Sequence, residues 1–186
     1  MDKKALRAEV RAMLAALDEA YLAESGEGIA NTLFSMPEYA AAKRVFTYIS
    51  VGREIPTERA ISHSVGLGKQ VYAPRSHAGG EMDFADVSAG LCPGSYGIPE
   101  PVASAEAVWP GRGDLILVPA LCCGVDGTRL GQGGGYYDRF LAKFPDAVSV
   151  CVCRERLIRE KIPTEWNDIR PDYVITEARI IKKRAD

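Results

Sequence analysis

The stretch DLILVPALCCGVDGTRLGQGGGYYDRFLAKF, residues 114–144, decides the fold of this 186-residue chain. Its start, the apolar run at residues 115–119, is typical of a strand that is buried on both faces, as in a parallel sheet. Its end is a glycine-rich turn at residues 129–135, which leads directly into a helical segment at residues 136–144. A buried strand joined to a helix in this way indicates a layered α/β protein.

Strand and helix patterns alternate along the rest of the chain. One face of an amphipathic first helix carries the apolar residues Leu6, Val10, Met13, Leu14 and Leu17. Further helices are predicted at residues 21–34, 38–43, 58–67 (with Thr57 as its N-cap) and 154–160, and further strands at residues 45–50, 70–74, 148–152 and 173–175. Residues 75–112 are rich in glycine and proline and are predicted to be irregular around a short strand at residues 82–84. We expect one α/β domain over residues 1–186, with a mostly parallel sheet flanked by helices on both faces.

Composition narrows the class of protein and its partners. The chain has 25 acidic and 23 basic residues, for a net charge of -2, so no strongly basic face for nucleic acid is expected. No apolar run approaches the ~18 residues that a membrane span needs, and the first residues lack the pattern of a signal peptide. We expect a soluble cytoplasmic protein, a monomer or weak homodimer, without nucleic-acid or membrane partners.

Cysteine spacing does not indicate a metal or redox site. The five cysteines are Cys92, Cys122, Cys123, Cys151 and Cys153. Their spacing matches neither zinc-site nor redox motifs. We expect buried reduced thiols, because free cysteine packs as a small apolar residue; a catalytic thiol or a disulfide is the less favoured alternative.

The glycine-rich turn carries the clearest chemical signal. Glycines at residues 131 and 133–135 let successive backbone N–H groups approach an anion closely. The positive end of the helix dipole follows, and Arg129 adds a guanidinium suited to phosphate oxygens. The lysine of a Walker A loop and the glycine spacing of a Rossmann fold are both absent. The turn therefore predicts a phosphate site of another type; a merely flexible turn is the alternative.

A second basic feature lies at the start of the first helix. Lys3, Lys4 and Arg7 fall within about one helical turn, where the helix dipole disfavours cations. A nearby anion, such as a nucleotide tail, would relieve this repulsion. A solvated basic helix end is the alternative, and this segment alone favours it.

Three carboxylates are further candidates. Glu54 follows a predicted strand, and ligands of open α/β sheets gather at the carboxyl ends of strands. It is suited to binding the N–H groups of a polar ring; an ion-paired surface carboxylate is the alternative. Asp138 and Asp168 are candidate magnesium contacts, because Mg²⁺ with nucleotide phosphates usually takes one or two protein carboxylates. The sequence leaves both assignments open.

Seven motifs together resemble one protein family. In chain order they are KKALR, YISVGREIPT, GKxVxxPR at residues 68–75, SYGIPEP at residues 95–101, DLILVPAL, RLGQGGGYYDRFL and IPTEWND. They are similar to those of the 5-formyltetrahydrofolate cyclo-ligase family, also called methenyltetrahydrofolate synthetases. The resemblance implies a compact α/β fold. It also implies closure of 5-formyltetrahydrofolate to 5,10-methenyltetrahydrofolate, with ATP as co-substrate, Mg²⁺ as cofactor, and release of ADP and phosphate.

The resemblance also implies roles for individual residues. Arg129 and Tyr137 are the expected catalytic residues, and Asp138 and Asp168 the expected magnesium ligands. Expected contacts to folate are Ile49, Glu54 and Tyr96. Expected contacts to ATP are Lys3, Lys4, Arg7, Arg129, Leu130, Gly131, Gln132, Gly133, Gly134, Gly135, Tyr136 and Tyr137.

Three departures from the family pattern qualify the expectation. Gln132 stands where many members carry Arg or Lys, Asn167 where a histidine is frequent, and residues 122–123 where an aromatic residue is common. The loss of one cation from the phosphate loop leaves two alternatives open. One is a folate or nucleotide sensor without turnover, and the other is phosphoryl transfer from ATP to another small acceptor.

Overall fold

The computed structural model of the chain describes residues 2–94 and 97–183. Within them the helices are α1 (Lys3–Ala16), α2 (Glu19–Ser35), α3 (Pro37–Ala41), α4 (Glu58–Gly66) and α5 (Tyr136–Lys143). The strands are β1 (Arg44–Phe46), β2 (Gln70–Ser76), β3 (Met82–Asp86), β4 (Leu91–Pro93), β5 (Pro99–Pro101), β6 (Leu115–Val118), β7 (Cys122–Gly124), β8 (Arg129–Leu130), β9 (Val148–Val152), β10 (Ile158–Arg159), β11 (Tyr173–Ile175) and β12 (Ile180–Lys182). Short 3₁₀ turns lie at Ala78–Gly80, Val87–Ala89 and Glu155–Leu157.

The main sheet has the strand order β12-β11-β9-β6-β1-β2-β3 among the described residues. Its inner pairs are all parallel, with Val45 opposite Leu115 and Leu117 opposite Val150. The two edge strands, β3 and β12, run antiparallel to their neighbours. The apolar runs that predicted buried strands thus lie in the middle of the sheet, and the mostly parallel arrangement is confirmed.

Helices cover the sheet on both faces. Along β1 and β6 the buried side chains alternate, with Phe46 and Val118 in one apolar cluster and Val45 and Leu117 in the other. The first cluster includes residues of α1 and α5, and the second includes residues of α2, α3 and α4. Because successive strand residues point to opposite faces, the two clusters lie on opposite sides of the sheet. The predicted fold class is therefore confirmed.

The helix predicted at residues 154–160 is wrong. The chain forms only the 3₁₀ turn at Glu155–Leu157 and then β10, in which Ile158 pairs with Cys123 of β7. Arg154 has an extended backbone, with φ −72° and ψ 139°, and its buried side chain bonds to distant segments. Contacts with segments far away along the chain, rather than local helix propensity, determine the structure of residues 154–160.

The strand predicted at residues 45–50 ends early, because Thr57 reshapes the loop that follows. The Thr57 hydroxyl donates to the carbonyl oxygen of Tyr48 at 2.9 Å and accepts from the backbone N–H of Ser50 at 3.2 Å. Thr57 does stand at the N-cap of α4, but its side chain makes no capping hydrogen bond to the helix. It fastens the loop after β1 instead.

The thiols are free, and their burial differs. Cys122, Cys123, Cys151 and Cys153 are buried, whereas Cys92 on β4 is exposed, so the expectation of burial is wrong for Cys92. Burial raises the pKa of Cys122 to about 12. The Sγ atoms of Cys123 and Cys151 lie 3.5 Å apart in the core.

The carboxyl ends of the parallel strands meet at one edge of the sheet. Tyr48 and Ile49 follow β1 there, and Pro119 and Ala120 follow β6. This edge is where open α/β sheets bind ligands. None of the helices in the described part of the chain is long and apolar enough to cross a membrane.

Candidate active site

A cavity of about 560 Å³ opens at this edge of the sheet, which is a volume typical of small-molecule sites. The start of α1, the loop after β1, the end of β2, the glycine-rich turn and residues 165–168 all contribute to its wall. Of the predicted site residues that the structure describes, all but Lys4 line this cavity. Lys4 is exposed on α1, and Tyr96 lies outside the described residues.

The glycine-rich turn runs from β8 to the first residue of α5. Gly133 and Gly135 have φ values of 109° and 67°, in the left-handed region where a side chain would be strained. A Cβ atom at Gly133 would also lie 3.3 Å from Cζ of Arg7. Gly135 is the N-cap of α5, whose first N–H groups have no partner within the helix. The turn therefore presents backbone donors to the cavity, as a phosphate site requires.

Arg129 forms the charged floor of the cavity. Its side chain is only 4% exposed, and its Nη2 donates to Oδ1 of Asp138 at 2.7 Å. Burial alone would lower the pKa of Arg129, but the Asp138 carboxylate outweighs burial and raises the pKa. Among the described residues, Nε of Arg129 is buried without a hydrogen-bond partner. A buried donor of this kind is costly unless it is satisfied, and Arg129 is itself one of the residues that line the cavity.

A second unsatisfied polar atom belongs to Tyr137. Its hydroxyl oxygen is buried and has no hydrogen-bond partner among the described residues. Burial raises the pKa of this phenol, so it stays neutral and able to donate. Each of the two expected catalytic residues thus has one buried donor without a partner among the described residues, and both residues line the same cavity.

The start of α1 is fastened to the cavity wall by two cations. Nζ of Lys3 lies 2.7 Å from Oδ1 of Asp168 and 3.0 Å from Oε2 of Glu165. Burial lowers the pKa of Lys3, but these two carboxylates outweigh burial and raise it. Nε of Arg7 donates to the carbonyl oxygen of Gly131 at 2.9 Å. Arg7 therefore lies against the glycine-rich turn, and Lys3 lines the same cavity beside Asp168 and Glu165.

The two aspartates predicted to bind magnesium differ in the hydrogen bonds that their carboxylate oxygens already accept. Oδ1 of Asp138 accepts from Arg129 and from the backbone N–H of Ile169, and Oδ2 accepts no hydrogen bond from the described residues. Asp168 uses one oxygen for Lys3 and the other for the backbone N–H of Glu165. Asp138 thus fits a Mg²⁺ ion that is bound mainly by nucleotide phosphates, with one free carboxylate oxygen. No group of three or more acidic, Cys or His side chains suited to a metal occurs in the described ranges.

Glu54 lines the cavity from the loop after β1. It is half-buried, its Oε2 accepts from the backbone N–H of Val51 at 3.0 Å, and burial raises its pKa. Glu54 makes no salt bridge with any residue of the described part, so the alternative of an ion-paired surface carboxylate is not met. Its loop is held by the Tyr48 hydroxyl, which donates to the carbonyl oxygen of Ile55 at 2.7 Å.

Several wall residues were not predicted from the sequence. Met82, Ile98 and Glu100 line the cavity from the segment that was expected to be irregular. Arg139 donates to the carbonyl oxygens of Gly80 at 3.0 Å and Gly134 at 2.8 Å, and so ties that segment to the glycine-rich turn. These residues come from strand pairing and long-range contacts, and local sequence carries no signal of them.

Comparisons with known proteins agree with this geometry. The model of the 5-formyltetrahydrofolate cyclo-ligase family matches residues 1–177. A 5-formyltetrahydrofolate cyclo-ligase of Mycolicibacterium smegmatis is 32% identical over 149 residues, which cover 75% of this chain and 76% of the relative. A probable 5-formyltetrahydrofolate cyclo-ligase of Schizosaccharomyces pombe is 24% identical and covers 98% of both chains.

A solved structure is similar over the whole chain. The NMR structure of 5,10-methenyltetrahydrofolate synthetase from Aquifex aeolicus superposes with a TM-score of 0.86 at 30% identity, covering 100% of this chain and 95% of that one. A match of the family model to nearly the whole sequence, joined by this likeness in structure, confirms the resemblance drawn from the motifs. The chain therefore belongs to the 5-formyltetrahydrofolate cyclo-ligase family.

Proposed function

We propose that this chain closes 5-formyltetrahydrofolate to 5,10-methenyltetrahydrofolate in the cavity described above, using ATP and Mg²⁺ and releasing ADP and phosphate. Its small-molecule substrates are a reduced folate and ATP. The family of the chain and the names of its relatives support a cyclo-ligase that forms a ring C–N bond.

One observation carries the proposal. A single cavity is lined both by the glycine-rich turn with the cations Lys3, Arg7 and Arg129 and by the carboxylate of Glu54. The turn and its cations suit the phosphates of ATP, and the carboxylate suits the N–H groups of a pterin ring. A reaction between a nucleotide and a folate needs both in one enclosure, with the reacting atoms in contact.

The chemistry proceeds in two displacements. The formyl oxygen attacks the γ-phosphorus of ATP, the bond from that phosphorus to the bridging oxygen breaks, and ADP leaves. The N10 nitrogen of the folate then attacks the activated formyl carbon and loses its proton, and the carbon–oxygen bond breaks to release phosphate. Negative charge develops on phosphoryl oxygens in both displacements, so positioned cations lower the barrier.

The residues of this chain have distinct parts in these steps. The backbone donors of the glycine-rich turn bind and orient the phosphates, and the unsatisfied Nε of Arg129 stabilises charge on the transferred group. The neutral Tyr137 hydroxyl is a second donor toward the reacting oxygen. Glu54 orients the pterin ring. Asp138 is the residue best placed to hold Mg²⁺, which neutralises phosphate charge when bound.

The first test is a near-ultraviolet absorbance assay for the methenyl product. Purified protein is mixed with Mg²⁺, ATP and 5-formyltetrahydrofolate, and each component is omitted in turn. Product that forms only in the complete mixture is the expected result. Binding of folate or nucleotide without product would overturn the proposal in favour of a sensor. ATP hydrolysis without need for folate would favour another phosphoryl acceptor.

A matched pair of variants tests the role of the cavity. Tyr137→Phe removes a hydroxyl that has no partner among the described residues, so we expect lower kcat with an unchanged melting temperature. Tyr173→Phe removes a hydroxyl that donates to Glu38 at 2.6 Å, away from the cavity wall. We expect this control to keep full activity. If the two variants have equal kcat values, Tyr137 has no part in the reaction.

A further inference from the structure

Arg154 is a buried arginine that contacts the loop carrying Glu54. It follows β9 at the carboxyl edge of the sheet and is 4% exposed. It does not line the cavity. Within the described ranges it forms no salt bridge, although a buried guanidinium is costly when no carboxylate accompanies it. The hydrogen bonds of this guanidinium show what it holds in place.

Within the described part of the chain, the guanidinium of Arg154 donates three hydrogen bonds, all to neutral oxygens. Nε donates to the hydroxyl of Ser25 on α2 at 3.1 Å. Nη1 donates to the carbonyl oxygen of Arg53 at 3.1 Å, and Nη2 donates to the carbonyl oxygen of Glu54 at 3.3 Å. One planar group therefore holds two successive carbonyl groups of the loop after β1, and Ser25 fixes the orientation of that planar group.

These two carbonyl groups belong to the two peptide planes that flank the Cα atom of Glu54. Because peptide units are planar, fixing both orientations fixes φ and ψ of Glu54. Those angles set the direction of its Cα–Cβ bond, and hence the starting point of the carboxylate. Other hydrogen bonds hold the same loop, among them the one from the Tyr48 hydroxyl to the carbonyl oxygen of Ile55, but among the described residues Arg154 is the side chain that bonds to both carbonyl groups beside the Glu54 Cα atom.

We propose that Arg154 is a positioning residue for substrate binding, which aims the Glu54 side chain into the cavity by holding the carbonyl oxygens of Arg53 and Glu54. The inference rests on the proposed function, because it assigns Glu54 to the folate. Arg154 itself touches neither substrate. Its effect is therefore confined to the affinity for the folate, and the affinity for ATP, which the proposed function assigns to the glycine-rich turn and its cations, stays unchanged.

The test compares Arg154→Met and Arg154→Lys with the control Arg44→Met. Arg44 is bonded to Asp114 at 2.9 Å at the start of β1, and neither residue lines the cavity. We expect Arg154→Met to raise the KM for 5-formyltetrahydrofolate about tenfold or more, within the hundredfold that a misplacement of about 1 Å costs. We expect the KM for ATP to stay within about twofold. Arg154→Lys keeps a cation but lacks the planar fork, so its effect is intermediate.

The double variant with Glu54→Gln isolates the coupling. If Arg154 acts through Glu54, adding Arg154→Met to Glu54→Gln raises the folate KM no further than Glu54→Gln alone. Additive effects, or an unchanged folate KM in Arg154→Met, would overturn the inference. The inference would also be overturned if Arg154→Met raised the KM for folate and the KM for ATP equally and by the same factors as Arg44→Met. If Arg154→Met does not fold, the same comparisons with Arg154→Lys decide.

Calorimetric titration of 5-formyltetrahydrofolate without ATP separates this inference from the proposed function. A wild-type protein that binds the folate but forms no product refutes the proposed reaction, and the dissociation constants of the Arg154 variants then decide the inference. A wild-type protein that forms product, with an Arg154→Met variant of wild-type folate affinity, refutes the inference alone. Absence of both folate binding and product refutes both.

Discussion

The ion pair between Arg129 and Asp138 gives the sharpest prediction. Asp138→Asn preserves the shape of the side chain, and its amide oxygen still accepts from Ile169, but the negative charge is lost. Arg129, with 4% exposure, then remains as a cation in the interior without its partner, whereas the Asp138 side chain is 22% exposed. The variant therefore isolates the cost of one uncompensated charge at the floor of the cavity.

The size of the effect follows from the burial of the two partners. Removing one partner of a buried ion pair costs about 3–5 kcal/mol. Water reaches the Asp138 side of this pair, and Asn still accepts one hydrogen bond, so about 2–3 kcal/mol is expected. In a protein of this size each kcal/mol lowers the melting temperature by about 2–4 °C, which gives a fall of about 4–12 °C.

Circular dichroism during heating, with and without inorganic phosphate, measures this cost. Because the unpaired Arg129 attracts an anion more strongly, phosphate should raise the melting temperature of Asp138→Asn more than that of the wild type. Asp114→Asn is the matched control, since Asp114 pairs with Arg44 at 2.9 Å away from the cavity. This control should lose stability without selective rescue by phosphate. A fall below about 2 °C in Asp138→Asn, or equal rescue of both variants, would refute the reasoning.

Three further predictions concern the phosphate loop, the folate carboxylate and the thiols. Gln132→Arg adds a cation to the glycine-rich turn and should lower the KM for ATP or raise kcat, since a charge-assisted hydrogen bond is worth about 1.5–3 kcal/mol. Arg11, which donates to Gln132 Oε1 at 3.0 Å, repels the new cation and opposes part of the gain. An unchanged kcat/KM for ATP would refute this prediction. Burial raises the pKa of Glu54, so the stability linked to its proton is complete below the ordinary value of 4.5 and is lost as the pH rises through the folded pKa. Glu54→Gln should therefore melt higher than the wild type at pH 8, by a margin that closes toward pH 4, while folate binding weakens but stays measurable; a margin independent of pH would exclude this cause. Of the five cysteines, only the exposed Cys92 should react quickly with an aromatic disulfide reagent in the native protein, and all five should react in denaturant; a second fast thiol would contradict the buried positions.

Local sequence was sufficient where one segment determines its own structure. The apolar runs at residues 115–119 and 148–152 predicted central strands because few polar groups can be placed inside a parallel sheet. The glycine-rich turn predicted a phosphate site because glycine backbone geometry is itself local. Glu54 was found from its place after a strand, since the carboxyl ends of parallel strands share one edge.

Local sequence was insufficient where distant segments decide. The strand β10 forms because its backbone pairs with β7, and no periodicity within residues 154–160 predicts that pairing. The roles of Arg139 and Arg154 depend on carbonyl oxygens that lie 59 and about 100 positions away along the chain. A carbonyl oxygen has no residue-specific signature, so such contacts become visible only in three dimensions.

The bond from Lys3 to Asp168 joins positions that are 165 residues apart. A ribosome that adds about 5–20 residues per second needs roughly 10–30 s between the two. During that interval the first helix has left the exit tunnel with its cations but without the carboxylates that later hold Lys3. The nascent chain therefore lacks this bond in the wall of the cavity until residue 168 has been added, and the two segments that it joins meet only after the strands between them have been made.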